Sequence, residues 1–278
     1  MAKKTKKRSK KSKKGKSTLS KLTTIIIISL IGFVLSRYLP HTATLHTDLG
    51  DDLAIPQFTT STNSQIIKHV GYTVSYNNKT RNPNWVGYTL TDEEVQGTVK
   101  RDDGFSCDPL VKGVQACDDD YKNSGYDRGH LAPAADMKWS KQAMEESFYL
   151  SNVSPQNKNL NRGVWKKLEE LCRDKAELYG EIVIITGPVF NGNKQKTIGE
   201  NHVRVPDAFF KVMLSNYDDS PRAIGFYMEN KAGKKKLKEY AKSIDEIEAI
   251  TSLDFFSSLP DNVEDEIERG FSAPFWGL

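Results

Sequence analysis

Residues 160–179 restrict the fold of this chain more than any other segment. Leu160, Val164, Leu168, Leu171 and Cys172 recur at helical spacing and mark one face for burial. Asn161 and Glu169 stand eight positions apart with Trp165 midway. At about 100° per residue, eight steps return to within about 80° of the starting direction, so the amide and the carboxylate share a flank of that helix. One helix therefore has to carry both core and site.

Short-range neighbours upstream supply the remaining chemistry. Tyr126, Asp127, Arg128, Gly129 and His130 run consecutively, and Ser151 and Asn152 follow before the helix. Hydrolysing a phosphodiester requires a base to activate water, positive charge on the equatorial oxygens, and stabilisation of the departing alkoxide. An imidazole titrates close enough to neutral pH to accept a proton there, which suits His130. If this segment is extended, Arg128 lies on the same face as His130, because strand side chains alternate. A hard cation such as Mg²⁺ prefers oxygen ligands and keeps several waters, so a protein need supply only one or two contacts; Asn161 offers an amide oxygen. Glu169, two turns on, suits holding a water of the cation's shell. Each residue alone has an ordinary reading: Asn161 as a helix cap, Glu169 as a solvated residue paired with Lys166. Their conjunction at fixed offsets favours the site.

These motifs resemble the DNA/RNA non-specific endonucleases, the ββα-metal or His-Me finger group, and the resemblance spans residues 70–226. It implies an α+β fold with an antiparallel sheet core. It also implies that His130 is the general base, Asn161 the direct Mg²⁺ ligand (with Mn²⁺ as an alternative), and Glu169 the residue that orients water. Arg128 and Asn152 are expected to support the phosphate and the site geometry. Residues 84–91 are similar to the family's early core strand, and residues 182–190 also fit. Arg101, ahead of Asp108 and Pro109, falls at the place of a phosphate-binding arginine, its ordinary reading being a surface residue.

The N-terminus carries a separate signal. Residues 1–21 hold eleven Lys and Arg and no acid, and residues 22–39 are apolar except for Arg37. Eighteen residues is at the short end of the roughly 17–25 that span a bilayer core. The positive-inside rule leaves the basic tail in the cytoplasm and the remainder exported. The expectation is a transmembrane anchor with the catalytic domain outside the cytoplasm; secretion after signal cleavage is the alternative, and a mitochondrial presequence is disfavoured by the Lys-rich, continuously apolar pattern. Residues 40–64 are polar and Thr-rich, suiting a tether, and residues 65–278 form the expected endonuclease domain.

Charge divides along the same line. Twelve basic and no acidic residues precede position 38, leaving 28 basic against 36 acidic beyond it. The basic overall balance therefore says nothing about the domain. DNA and RNA, held through the phosphate backbone, would need a local basic cleft, for which Arg81, Lys100, Arg101, Arg128, Lys138, Lys158, Arg162 and Lys166 are candidates. Cys107 and Cys117 could pair in an oxidising compartment, whereas Cys172 reads as a buried thiol. Without CxxC spacing the three cysteines do not make a zinc site.

Short strands are expected over residues 71–76, 85–90, 148–151, 181–186, 209–214 and 223–228 and into His130, with helices over 141–147, 160–179 and 243–252. A Ser-x-x-Glu box at Ser243 and Glu246 starts the last helix. The reading is a Mg²⁺-dependent endonuclease with little sequence preference, and the family resemblance implies that it acts on both DNA and RNA and leaves 5′-phosphate ends. Its rivals are a non-catalytic membrane-anchored DNA receptor and a narrower phosphodiesterase.

Overall fold

In this computed structural model, residues 51–102, 104–192 and 196–278 are described. The strands in chain order are β1 (Gln57–Phe58), β2 (Gln65–Lys68), β3 (Thr73–Asn77), β4 (Asn82–Thr91), β5 (Asp127–His130), β6 (Val153–Gln156), β7 (Glu181–Val189), β8 (Thr197–Ile198), β9 (Val203–Arg204), β10 (Ala208–Ser215), β11 (Arg222–Glu229), β12 (Ala241–Lys242) and β13 (Leu253–Asp254). Seven form one sheet in the order β12-β11-β10-β7-β4-β3-β2. Every pairing in it is antiparallel.

Alternation along the long strands sends side chains into two cores, one on each face of the sheet. Val86, Ile184, Phe209 and Met213 join Trp165, Leu168 and Cys172 of the site helix in one core. Their sequence neighbours Trp85, Ile185, Phe210 and Val212 join Ile244, Ile247, Phe255 and Phe256 in the other. Burial on both faces explains why the central strands read as nearly continuous apolar runs. The mixed α and β architecture with an antiparallel sheet agrees with expectation, with two cores in place of one.

The packed part begins well before Ile66. Residues 51–64, read as tether from their composition, include the short turn Asp51–Ala54, and Leu53 and Ala54 are buried in the second core. A Cβ at Gly87 of β4 would stand 1.8 Å from the Ala54 carbonyl oxygen, so this turn lies directly on the sheet and requires glycine beneath it. Next along the chain, β1 pairs with β13. Thr-rich composition reports solvation along a segment and misses two apolar anchors within it.

The transmembrane helix expected over residues 22–39 lies outside the described residues. Among the described residues no helix is long and apolar enough to cross a membrane. The longest, Lys166–Tyr179, has 14 residues. At 1.5 Å per residue it reaches about 21 Å, short of a hydrocarbon core of about 30 Å.

Two elements differ from the sequence expectation in ways that shape the site. Residues 148–151 are not a strand: Leu150–Asn152 forms a tight turn and β6 begins at Val153. The Asn152 amide bonds to the backbone of Ala132 and Ser147, taking groups a ladder would otherwise use. The helix over 160–179 is also interrupted. An initial turn, Lys158–Leu160, is capped by Asn157 and passes into a wide π-turn, Asn161–Trp165, before Lys166–Tyr179 continues as α-helix.

Candidate active site

A small hairpin and the site helix build the site. β5 pairs antiparallel with β6, placing His130 opposite Val153 and Gly129 opposite Ser154. A Cβ on Gly129 would lie 2.5 Å from Gln156 Cβ, so glycine permits the close approach of the two strands. The helix then follows β6 directly, completing a strand–strand–helix unit. Its wide turn is kinked at Gly163, whose φ of −111° and ψ of −111° are not helical, yet Asn161 and Glu169 on either side of the kink line the same cleft. With Asn157 as the cap, Asn161 is released from the capping role that was its ordinary reading.

Arg101, Arg128, His130, Asn161 and Glu169 all line one cleft of about 570 Å³, together with Asp127, Arg162, Lys166 and Arg173. His130 sits between Phe105 and Phe148, with ring centroids at 5.2 and 5.0 Å. Its Nε2 is enclosed without a hydrogen-bond partner. Nδ1 is thus the ring nitrogen open to the cleft. Burial, reinforced by the nearby Arg101 charge, lowers the His130 pKa from 6.5 to about 3. The imidazole is neutral at physiological pH.

Asp127 organises the opposite wall. Arg162 donates to it in bidentate fashion, with both bonds at 2.8 Å, and the Asn161 amide nitrogen donates at 3.1 Å. Burial raises the Asp127 pKa, but the bonds from Arg162 and Asn161 outweigh it and the carboxyl is held below its ordinary range. Because the amide nitrogen of Asn161 is committed to Asp127, its carbonyl oxygen is the atom left for a cation. An amide oxygen with a nearby carboxylate is a donor set for a hard divalent ion, so these residues fit the expected group.

Glu169 is half-buried. Burial raises its pKa from 4.5 to about 8; Lys211 and Arg173 oppose the shift, and Asp136 adds to it. Lys211 is fully buried in β10, and its ammonium lies 5.3 Å from the centre of the Trp165 ring. Arg173 donates to buried Asp136 at 2.7 Å, and Tyr88 donates to the other Asp136 oxygen at 2.7 Å. The Arg173 guanidinium is thereby fixed at the cleft.

The arginines read from sequence differ in their settings. Arg128 lies 2.6 Å from Asp118 and donates to the Asp118 carbonyl at 3.0 Å, under the rings of Phe105 and Tyr121. Its Nε–H is not aimed along the short contact, so this is an ion pair by proximity with its hydrogen bond made at Nη2. Arg101, the loosest of the assignments, stands over Phe148 at 4.9 Å, on the same ring that packs against His130. Asn152 does not reach the cleft. It is fully buried and ties Ala132, just after His130, to Ser147, which makes it a positioning residue rather than a phosphate contact.

Arg173, Asp136 and Lys211 escaped the sequence reading, and Asp127 enters it only as part of the run into His130, without a role. Lys211 had a visible signal, a lone cation within the apolar run Phe209–Leu214. The Asp127–Asn161 link joins residues 34 apart and had none. The sulfurs of Cys107 and Cys117 lie 2.9 Å apart, and Cys172 is buried against Met213.

The hairpin and helix thus form a strand–strand–helix unit with a histidine on the first strand and an asparagine at the start of the helix. Residues 49–262 match the family model described as DNA/RNA non-specific endonuclease, and the chain belongs to that family. The mitochondrial Nuclease 1 of Schizosaccharomyces pombe is 35% identical over 216 residues, covering 70% of this chain and 67% of that protein. The mitochondrial Endonuclease G of Bos taurus is 38% identical over 162 residues, covering 54% of each. The chain thus spans roughly half to two thirds of the length of these relatives. EndoG in the crystal structure of an EndoG/EndoGI complex superposes with a TM-score of 0.70 at 28% identity, over 76% of this chain and 91% of that one.

The expected location is corrected by these relatives. They are named as mitochondrial nucleases, and among the described residues no helix is long and apolar enough to cross a membrane, so the membrane-anchored domain outside the cytoplasm is not supported. Hydropathy measures the affinity of a segment for a bilayer and is blind to which membrane system receives it.

Proposed function

We propose that this chain is a metal-dependent endonuclease that hydrolyses phosphodiester bonds of DNA and RNA with little sequence preference and leaves 5′-phosphate ends. The observation that supports this most is one cleft holding a neutral, desolvated His130 opposite an Asn161 whose amide oxygen is freed by Asp127.

His130 takes a proton from the attacking water at Nδ1, the nitrogen open to the cleft. Arg128 and Arg101 place positive charge beside the phosphoryl oxygens as they gain charge. Asn161 would present its carbonyl oxygen to Mg²⁺ or Mn²⁺, and Glu169 would orient water for the hydrolysis. When bound, such an ion would stabilise the departing 3′ oxygen. Gripping phosphates reads no base edges, which accounts for low sequence preference. Assembly of base, amide and carboxylate in one cleft argues against a non-catalytic receptor, which would need only the basic residues.

The test is cleavage of plasmid and RNA by the full chain with Mg²⁺, with EDTA, and with His130→Ala alongside. The expected result is metal-dependent cutting of both substrates, lowered roughly 10² to 10⁴-fold in the variant with nucleic-acid binding retained. Wild-type turnover in His130→Ala would remove the base from the mechanism. No cutting by folded, metal-loaded protein would move the assignment to the receptor, and cutting confined to small diesters to the narrower enzyme.

A further inference from the structure

The site helix has a second polar wall that the hydrolytic chemistry does not use. Asn161, Arg162 and Lys166 face the catalytic cleft, while Gly163, Val164 and Lys167 face a separate groove of about 670 Å³. It is also lined by Gly277 and Leu278 and by the 231–238 loop, which carries five lysines and no acidic side chain. Lys234, Lys235, Lys236 and Lys238 all line the groove and are exposed. Among the described residues, none of these four ammonium groups forms an ion pair. The loop is seated firmly against the helix: a Cβ on Gly233 would lie 2.5 Å from Val164 and 2.9 Å from the Tyr240 hydroxyl.

We propose that this lysine groove is a second binding site for the sugar–phosphate backbone, holding the substrate strand beyond the bond being cut. The inference rests on the nuclease reading and extends it from one phosphate to a tract of them. Beyond position 37 the chain is net acidic, so a polyanion is repelled at long range and must be caught locally. Four unpaired ammonium groups with Lys167 opposite supply such a patch. It shares the turn of helix that carries Asn161, so a strand leaving the catalytic cleft along that wall meets it next. A lipid surface fits less well. The site is concave, and among the described residues the exposed large apolar side chains, Ile66, Val70, Leu110, Val114, Leu178 and Phe271, all lie outside the loop, which leaves it no group to insert into a bilayer.

The test compares the full chain with a variant carrying Lys234→Gln, Lys235→Gln, Lys236→Gln and Lys238→Gln. Binding of a fluorescent duplex is followed across a salt series in EDTA, so that no turnover interferes. Each lost phosphate contact should flatten the plot of log affinity against log salt by about 0.9, giving a total change of about three to four. In Mg²⁺, KM for plasmid should rise tenfold or more while kcat holds, and bis(p-nitrophenyl) phosphate should be turned over at the wild-type rate. An unchanged salt slope would overturn the groove, as would loss of binding to phosphatidylserine vesicles with duplex binding intact. Failure of the wild type to cleave any diester would sink the nuclease reading alone, because the EDTA binding comparison still decides the groove.

Discussion

Asp127 accepts the amide nitrogen of Asn161 at 3.1 Å, a contact between the first strand of the site hairpin and the first residue of the π-turn. It decides which end of the amide faces the cleft. In Asp127→Ala the amide loses this restraint, and Arg162 loses both bonds that hold it. Removing the partner that orients a ligand typically costs 10 to 100-fold in metal affinity. The metal concentration for half-maximal cleavage should rise by that factor, with a smaller effect on the rate at saturating metal. A metal titration superimposable on wild type would show that Asn161 is oriented by something else.

Glu169 links activity to stability in a checkable direction. Its pKa is raised by burial from 4.5 to about 8, so the folded state prefers the protonated carboxyl. The preference is fully expressed below pH 4.5, and stability is lost as pH rises from there to about 8. Glu169→Gln removes the charge. In EDTA above pH 8 it should therefore be more stable than wild type by about 1 to 3 kcal/mol, allowing for partial solvent access. Near pH 4 the two should melt together. The same variant should lose activity in Mg²⁺. Equal melting temperatures at both pH values would mean that the cleft does not desolvate Glu169.

The sequence revealed the chemistry more readily than its alignment. His130 and Arg128 were legible because two-residue alternation places them on one side of a strand, and residues 141–147 and the Ser243 box were legible because caps and apolar spacing are local. The π-turn was hidden because Val164 and Trp165 are both apolar and both buried. A helix with or without an inserted residue satisfies the same pattern there. Asp127 beside Arg128 looks like a local pair. Its actual partners lie 34 and 35 residues away, and Arg128 pairs with Asp118 instead.

Gly129 holds the hairpin closed. An alanine there would drive its Cβ to 2.5 Å from Gln156 Cβ and 2.4 Å from Gln156 Oε1, on a residue that is itself buried. The Cβ cannot swing away, so β5 and β6 must separate and His130, the next residue, must shift. Overpacking of this kind costs about 1 to 3 kcal/mol. Gly129→Ala should lower the melting temperature and reduce turnover, and Gln156→Gly in the same chain, which removes the opposing Cβ, should restore part of both. Full activity in the single variant would mean that the strand pair has slack the geometry does not show.

Arg101 and His130 are coupled through charge, and the pH dependence of kcat/KM reads that coupling. This ratio reports the free enzyme, in which burial first and the Arg101 charge second hold the His130 pKa at about 3. The base acts in its neutral form, so activity should persist as pH falls through 6.5 and fail only well below it, provided the protein remains folded. Removing a positive neighbour makes protonation easier. Arg101→Gln should therefore move the acid limb to higher pH, while burial, the larger cause, keeps it below 6.5. Added salt should narrow the difference between the two profiles, since Arg101 is exposed and its field is screened. An acid limb at or above 6.5 in wild type, or a shift to lower pH in the variant, would separate the essential base from His130.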